Sequence, residues 1–432
     1  MSLIRKLPGI LDKAEEQYIK LLAESMPSSA RTVMRTEGKD TGVFLLGDNA
    51  EILSEGIVTG KLSGKFDMIY CDPPFFTEDD KGARIPVKSE IVSDVREIRM
   101  RAYHDRWKNG FDDYLEQLAL RLKLMKDALK DTGVICIHLD WHASHAVKLF
   151  MDEIFGENNF INEIIWVYKS GGAAKRHLSR KHDSILVYSK TGSYKFHQEK
   201  EKSYNRGMKP YRFKGVEEFH DEIGWYTLVN MKDVWQIDMV GRSSSERLNY
   251  ATQKPEALLD RLIKLVTDEG DLCGDFYCGS GTLAASAGRL GRRFICADVS
   301  CLAAANAVKR PLRAGYGFNV REIGRLPGRG SCSVSAHRDG SFIVLDSFAT
   351  DEAAVPARYV ESMRELLEKD PFALLDYWCA GRLDSDGTFV SMEPVFRNGR
   401  DGLPVSKEDV LREFTAVMAV DIFGRMSVCA LH

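Results

Sequence analysis

Strand-like and helix-like segments alternate along most of the chain, and this alternation constrains the fold more than any other feature. Short apolar runs typical of buried strands occur at residues 43–46, 66–70, 133–139, 164–168, 184–189 and 293–297. Residues 111–130 place their leucines at helical spacing, and Pro255 opens a further amphipathic helix. Strands that alternate with helices of this length predict an α/β fold, with a largely parallel sheet covered by helices on both faces.

The overall charge argues against a protein that coats nucleic acid with its whole surface. The 432 residues carry a formal net charge of −3, so a site for a polyanion must come from local segregation of charge. The nine cysteines form no CxxC pair, which predicts reduced thiols, no metal site and a cytoplasmic protein. We also expect neither a signal peptide nor a membrane helix, because the N-terminal segment is charged and no apolar run is long enough.

A stiff loop rich in hydrogen-bond acceptors follows one of the buried strands. It has the sequence Asp72-Pro73-Pro74-Phe75, and ligand sites in open parallel sheets lie at the carboxyl ends of strands. The two prolines fix the backbone and remove N–H donors. The Asp72 carboxylate and the Pro73 carbonyl could both accept from one exocyclic amino group, whose nitrogen lone pair would then be free to attack. Phe75 would offer a face to a heteroaromatic ring, although a plain turn is the alternative for this loop alone.

A second candidate site is the segment DFYCGSGT at residues 275–282, which has the pattern of a strand, a glycine turn and a helix of small residues. Glycines let a ligand approach the backbone, and a helix N-terminus presents unpaired N–H groups. Asp298 ends the next strand, 17 residues after Gly281, where a carboxylate can accept hydrogen bonds from ribose hydroxyls. The spacing is not GxGxxG, which disfavours a nicotinamide cofactor, and a purely structural turn stays open.

The middle of the chain is strongly basic. Between Lys169 and Lys214 there are 13 lysines and arginines against three acidic residues, a local net charge of +10, with tyrosines interleaved. Basic and aromatic side chains together suit a phosphate backbone and unstacked bases. A solvated charged loop is the alternative for this segment taken alone.

These motifs occur in an order that resembles the beta class of DNA amino-methyltransferases, in which the catalytic motif precedes the cofactor motif. The similarity covers about residues 42–312 and is closest to the methylating subunits of type III restriction–modification systems and to related stand-alone enzymes. Besides DPPF and DFYCGSGT, the matching segments are LLGDNAEIL (45–53), Tyr103-x-Asp105-x-Trp107, FMDEIFGE (150–157), IIWVYKSGG (164–172), KHDSILVYSK (181–190) and TQKPEALL (252–259).

The resemblance implies a Rossmann-like sheet that binds S-adenosylmethionine and holds a flipped DNA base. It assigns the target base to Asp72, Pro73, Pro74 and Phe75. The residues that it places at the cofactor are Asp48, Lys254, Pro255, Asp275, Phe276, Tyr277, Gly279, Gly281, Thr282 and Asp298. The DNA contacts that we expect within the basic segment are Lys169, Lys175, Arg176, Arg180, Lys181, Lys209 and Arg212.

The same resemblance divides the chain into five parts. We expect an N-terminal helical segment (1–40), the catalytic half of the methyltransferase domain (41–190), an inserted target-recognition region (191–250), the cofactor-binding half (251–325) and a small C-terminal α+β unit (326–432). The residues from Arg325 onward carry a net charge of −5, so we do not assign this unit to the DNA backbone.

The implied activity is site-specific methylation of an exocyclic amino group in double-stranded DNA. Adenine N6 is the expected target, because Asp at position 72 mostly accompanies adenine in the family, whereas Ser there mostly accompanies cytosine. Two alternatives are a cytosine-N4 enzyme and a DNA-binding specificity subunit that is active only with a partner. A second copy of the chain and a restriction subunit are further candidate partners. The chain departs from the family pattern at Phe75, which is usually Tyr, and at Phe276, which is usually Pro.

Overall fold

A computed structural model of the chain describes residues 2–27, 30–87, 96–103, 105–171, 174–241, 243–248, 250, 252–324, 331–397 and 402–431. The expected start of the C-terminal unit at residue 326 lies outside these residues. None of the described helices is both long enough and apolar enough to cross a membrane.

The described α-helices follow the periodic segments of the sequence, and most of them lie in the first three quarters of the chain. They are α1 (Leu3–Glu24), α2 (Asn49–Val58), α3 (Phe111–Ala128), α4 (Ser144–Phe155), α5 (Glu256–Val266), α6 (Thr282–Arg289), α7 (Cys301–Arg313) and α8 (Val360–Lys369).

The strands fall into one large sheet and three small ones. Those of the first three quarters of the chain are β1 (Arg31–Thr36), β2 (Asp40–Leu46), β3 (Phe66–Cys71), β4 (Lys81–Val87), β5 (Arg96–Tyr103), β6 (Leu129–Leu139), β7 (Phe160–Val167), β8 (His182–Ser189), β9 (Lys200–Tyr204), β10 (Phe219–His220), β11 (Trp225–Asn230), β12 (Val234–Gln236), β13 (Leu272–Asp275), β14 (Arg293–Asp298) and β15 (Gly317–Glu322). The remaining strands are β16 (Cys332–Asp339), β17 (Phe342–Thr350), β18 (Leu375–Leu383), β19 (Phe389–Phe396), β20 (Ser406–Glu408), β21 (Ala416–Asp421) and β22 (Met426–Ala430).

The centre of the large sheet is parallel, as the sequence predicts. The strand order is β12-β7-β8-β6-β3-β13-β14-β2-β15-β1-β19-β18-β21-β22, and the six strands from β6 to β15 run parallel to their neighbours. All six residues of β3 are buried, because helices cover both faces of the sheet. The predicted fold class, a Rossmann-like α/β sheet with helices on both faces, is confirmed.

Successive residues of β3 point to opposite faces of the sheet and enter two different cores. Met68 and Tyr70 pack in the core to which α5, α6 and α7 contribute. Ile69 and Cys71 pack in the core formed with α1, α2, α3 and α4. The residues that follow β3 are therefore held by a strand that is anchored on both sides.

One hairpin carries the start of the basic segment, here called the basic loop (residues 168–181), to the edge of the sheet at which Asp72 lies. β7 pairs antiparallel with β8, and β8 pairs antiparallel with β6, so β7 runs in the same direction as β6 and β3. The connection after β7, which begins at Tyr168, therefore leaves the sheet at the same edge as the loop after β3. This edge is the one at which ligands bind in sheets of this type.

The C-terminal strands continue the large sheet. β19 pairs parallel with β1, and β18, β21 and β22 follow it in antiparallel order. β1 lies in the polar stretch after α1, and Met34 is its one buried residue. This stretch has no apolar run that predicts a strand. The predicted helix at 356–369 is present as α8, which begins at Val360. A third core joins the C-terminal strands to the β4–β5 hairpin.

Gly281 is a position at which the fold requires glycine, and substitution tests the packing of α6 on α7. Its φ is +72°, and a Cβ there would lie 2.5 Å from Cα of Ala307. Gly60 has a φ of +71° but open space around it. We expect Gly281→Ala to lower the free energy of unfolding by about 1–3 kcal/mol more than Gly60→Ala, because only the first adds a steric clash to the backbone strain. Urea unfolding of both variants measures the difference, and equal losses would contradict the packing described.

Candidate active site

One oxygen of the Asp72 carboxylate has a partner among the described residues, and the other has none. Asp72 follows the last residue of β3. Its Oδ2 forms an ion pair with Nζ of Lys254, which is separated from the first residue of α5 by Pro255 alone. The side chains are 18% and 8% exposed, respectively, so the pair lies mostly out of water. Oδ1 of Asp72 is buried and accepts no hydrogen bond from the described residues. A buried carboxylate oxygen without a donor is costly, which makes this atom the natural acceptor for a ligand N–H.

Phe75 is fixed by a buried histidine. Its ring stacks on His138 with the centroids 5.9 Å apart and an angle of 26° between the planes. His138 is fully buried, and its two ring nitrogens lie 2.8 Å from the Tyr70 hydroxyl and 3.2 Å from Oδ2 of Asp183. Burial raises the pKa of Tyr70, so its hydroxyl keeps its proton. Nζ of Lys254 lies 5.2 Å from the centroid of the Phe75 ring.

The Asp183 carboxylate completes this support. Burial opposes its ionisation, but the hydrogen bond and charge of His138 together with Lys254 and Tyr168 outweigh it, and the pKa of Asp183 lies below its usual value. The Tyr168 hydroxyl donates to Oδ1 of Asp183 at 3.1 Å. The aromatic ring of the DPPF loop therefore rests on a polar network that is itself fully hydrogen-bonded.

Asp105 holds the far end of the same loop. Its Oδ1 accepts from the backbone N–H of Phe76 at 2.9 Å, and its Oδ2 accepts from the backbone N–H and the hydroxyl of Thr77 at 2.8 and 2.6 Å. Asp105 is fully buried. It was not among the predicted site residues, although its segment belongs to the resemblance, because a carboxylate that binds backbone amides leaves no pattern of its own in the sequence.

Asp298 joins the end of β14 to the glycine turn. Its Oδ2 accepts from the backbone N–H of Gly279 at 2.8 Å, and its Oδ1 accepts from that of Ser300 at 2.9 Å. Gly279 has a φ of +50°, which turns the chain at this point. Burial raises the pKa of Asp298 above its usual value. Each oxygen keeps a lone pair for a ligand donor.

The two aromatic residues of the turn differ in exposure. Phe276 is 1% exposed and packs edge to face on Phe66, with the ring centroids 5.5 Å apart. Its backbone carbonyl accepts from Nδ2 of Asn49 at 2.8 Å. Tyr277 is partly exposed, so its ring is the more accessible of the two.

Asp48 has a structural role beside its place in the site. It caps α2 by accepting from the backbone N–H groups of Ala50 and Glu51 at 2.8 and 3.2 Å. Its Oδ2 also accepts from Nη2 of Arg121 at 3.1 Å. The carboxylate therefore has defined partners without any ligand.

Both motifs open into one cavity of about 850 Å³. The predicted residues that line it are Asp48, Asp72, Pro73, Pro74, Phe75, Lys254, Asp275, Phe276, Tyr277, Gly279, Thr282 and Asp298. Two predicted residues, Pro255 and Gly281, are not among the described residues that line the cavity. Pro255 instead lies immediately before α5, and Gly281 precedes α6.

Several lining residues come from parts of the chain that the sequence did not assign to the site. The β4–β5 hairpin contributes Arg101 and Tyr103, and the C-terminal unit contributes Phe423 and Arg425. The hairpin strands alternate charged and apolar residues like any surface ribbon, and the C-terminal unit carries no recognisable motif. Only the folded chain brings them to the cavity.

Most of the predicted DNA contacts are exposed. Lys169, Lys175, Arg176 and Arg180 lie in the connection between β7 and β8, and Lys209 and Arg212 lie near the small sheet β10-β11-β9. Lys181 differs, because its Nζ donates to the backbone carbonyls of Ser170 and Gly171, each at 2.9 Å, and so closes the loop on itself. The guanidinium carbon of Arg180 lies 3.8 Å from the centroid of the Trp141 ring.

With this geometry established, comparison with known proteins defines the class. Residues 66–307, more than half of the chain, match the family model described as DNA methylase. The chain therefore belongs to the DNA methylase family.

Individual relatives are distant in sequence. The type III restriction-modification enzyme StyLTI Mod subunit of Salmonella typhimurium is 24% identical over 387 residues, and the match covers 69% of this chain but only 58% of the subunit. The type II methyltransferase M.KpnI of Klebsiella pneumoniae is 34% identical over 148 residues, which is 34% of this chain and 32% of the relative. Among solved structures, the PvuII DNA methyltransferase, described as cytosine-N4-specific, covers 65% of this chain and 90% of its own at 14% identity and a TM-score of 0.43.

The buried Asp275 gives the site a pH dependence that can be measured without any ligand. Burial raises the pKa of its carboxyl from 3.8 to about 8. Between these values the folded state holds a proton that the unfolded state has released, so stability falls as the pH rises through this window. We expect Asp275→Asn to lose less unfolding free energy than the parent between about pH 5 and pH 8. Urea unfolding across this range measures it, and parallel curves for the two proteins would show that Asp275 is ionised in the folded state.

Proposed function

We propose that the chain transfers a methyl group from S-adenosylmethionine to the exocyclic amino group of a flipped base in double-stranded DNA, and that the base is adenine. The observation that carries the proposal is the buried Oδ1 of Asp72, which accepts no hydrogen bond from the described residues, while Asp72 lines the same cavity as the glycine turn. Separate groups of side chains position the base, the cofactor and the DNA.

Asp72 and Pro73 supply the acceptors for the amino group. Oδ1 of Asp72 takes one amino proton as a hydrogen bond, and the Pro73 carbonyl takes the other. The nitrogen lone pair is then less delocalised into the ring and can be directed at the methyl group. As the nitrogen gains positive charge, the carboxylate stabilises it, which is the electrostatic contribution that matters most in the transition state.

Lys254 keeps this carboxylate in place. Its ammonium group holds Oδ2 of Asp72, so rotation of the carboxylate would cost an ion pair between two mostly buried groups. Its contact with the ring of Phe75 fixes the second element of the base site at the same time. One lysine therefore orients both the acceptor and the stacking face.

The residues of the glycine turn fit S-adenosylmethionine. Asp298 has lone pairs for ribose hydroxyls, the backbone at Gly279 is open to close approach, and Tyr277 offers an aromatic face. A cavity of about 850 Å³ has room for the cofactor and a base together. When bound, the cofactor supplies an electrophilic sulfonium methyl group, so the protein has only to position the nucleophile.

The position of the basic loop supports DNA as the substrate. It leaves the sheet at the edge that carries Asp72, with Lys169, Lys175, Arg176 and Arg180 exposed. A base inside a duplex cannot reach a cavity in this edge, so the target nucleotide must leave the stack. Backbone contacts by these side chains would hold the duplex, while residues 191–250 would read base edges.

Adenine is favoured over cytosine by Asp72, following the family correlation, and a direct product analysis tests it. Duplex DNA treated with the chain and cofactor, then digested to nucleosides, should contain N6-methyladenine. N4-methylcytosine instead would retain the methyl transfer and reject the choice of base. A specificity subunit that acts only with a partner predicts no product from the isolated chain. We further propose a restriction subunit and a second copy of the chain as binding partners. The chain spans only 58% of the Mod subunit that it matches.

Substitutions at Asp72 and Asp298 should affect different quantities, the rate of methyl transfer and the affinity for the cofactor. We expect Asp72→Ala to lower the single-turnover rate of methyl transfer by at least about 100-fold while the affinity for S-adenosylmethionine stays within a few-fold. Asp298→Ala should raise the dissociation constant for the cofactor by about 10- to 150-fold, because a charged acceptor is lost. Phe75→Tyr restores the usual family residue and should remain active. Transfer by Asp72→Ala at close to the parent rate would reduce the DPPF loop to a turn.

Charge reversal tests the DNA-facing loop. We expect Lys175→Glu with Arg176→Glu to weaken binding to duplexes of any sequence and to flatten its salt dependence, because fewer counterions are released. Lys61→Glu with Lys65→Glu is the matched control. Those exposed lysines precede β3 and so lie at the opposite edge of the sheet. Fluorescence anisotropy over a salt series measures both, and equal slopes for the two variants would remove the loop from the DNA interface.

A further inference from the structure

A second cavity, separate from the active site, is lined by converging cations. It encloses about 240 Å³ between β4, α7 and the C-terminal unit. Five lining residues are basic and two, Asp376 and Asp421, are acidic, so the formal charge of the lining is +3. The basic residues are Arg84, Arg247, Lys309, Arg313 and Arg397.

The two acidic residues are already engaged. Asp376 forms an ion pair with Lys309. Asp421 is fully buried, and its Oδ2 accepts from Nε of Arg425 at 2.7 Å and from the Thr350 hydroxyl at 3.1 Å. Arg425 does not line this cavity, so Asp421 is neutralised from outside it. The positive charge of the cavity is therefore not balanced from within.

Two of the arginines have no carboxylate partner in the described part of the chain. Arg84 is exposed on β4, opposite Arg99 of β5. Arg313 is exposed on α7, and its guanidinium carbon lies 4.6 Å from the centroid of the Phe396 ring. Both residues line the cavity and carry guanidinium N–H donors.

The cations of the lining come from distant parts of the chain. Arg84 lies on β4, Arg247 in the segment before α5, Lys309 and Arg313 on α7, and Arg397 after β19. Four separate segments therefore bring positive charge to one concave site, which favours a ligand of opposite charge.

We propose that this cavity binds a phosphate group. Arginine guanidinium groups match the tetrahedral oxygens of phosphate through paired N–H donors, and a dianion would offset most of the +3 charge. The group belongs either to a free phosphate compound or to a DNA backbone, since the chemistry recognised is the same. The site does not depend on the proposed methyl transfer, because Leu302 alone is common to the described linings of the two cavities.

The test removes the two unpaired arginines together in the full-length chain. Arg84→Ala with Arg313→Ala is compared with the parent and with Arg321→Ala, which removes an exposed arginine of β15 that does not line the cavity. Titration calorimetry with inorganic phosphate and with pyrophosphate, at constant ionic strength in chloride, is the first arm. We expect the double variant to lose at least about tenfold in affinity, whereas Arg321→Ala keeps the parent value.

The second arm identifies the source of the phosphate. If the group belongs to DNA, the double variant should lower the slope of log affinity against log salt by about one to two units, since up to two phosphate contacts are lost. An unchanged slope together with weakened pyrophosphate binding assigns the site to a free phosphate compound. S-adenosylmethionine affinity, measured in parallel, reports on folding. If neither anion binding nor the salt slope differs between the double variant and the parent, the cavity is not a phosphate site.

Discussion

The ion pair between Lys254 and Asp72 is the interaction on which the rest of the active site depends. It joins the half of the chain that carries the DPPF loop to the half that carries the glycine turn. Because Lys254 occupies only one carboxylate oxygen, it fixes the group without using up its acceptor capacity. Oδ1 of Asp72 is therefore available to accept a hydrogen bond from a ligand N–H group.

The strand order brings the acidic residues of both motifs to one edge of the sheet. β3 and β13 are neighbours and run in parallel, so Asp72 and Asp275, which end or follow these strands, lie at the same edge of the sheet. Asp298 ends β14, the next strand along. Three carboxylates thus meet within a few strand widths, and their burial explains why the pKa values of Asp275 and Asp298 are raised.

The sequence was informative where one local signal sufficed. Apolar runs located the central strands, and the DPPF and glycine-turn motifs located about a third of the described cavity lining. Residues whose role depends on distant partners could not be predicted. Asp105, which binds backbone amides of the DPPF loop, and His138, which lies under Phe75, have no motif that reveals those contacts. β1 was missed for a related reason, since it is polar and is stabilised only by β15 and β19 on either side.

The residues that match the family model are not the same as the residues that form the continuous sheet. The family match begins at Phe66 and ends at Ala307, yet β2, which lies between β14 and β15, precedes it in the chain. A fragment cut to the matched residues would lack a central strand and would expose hydrogen-bonding edges in the middle of the sheet. It would also lack Phe423 and Arg425 from the wall of the active-site cavity. The residues that identify the family are therefore fewer than the residues that complete the sheet and the cavity wall.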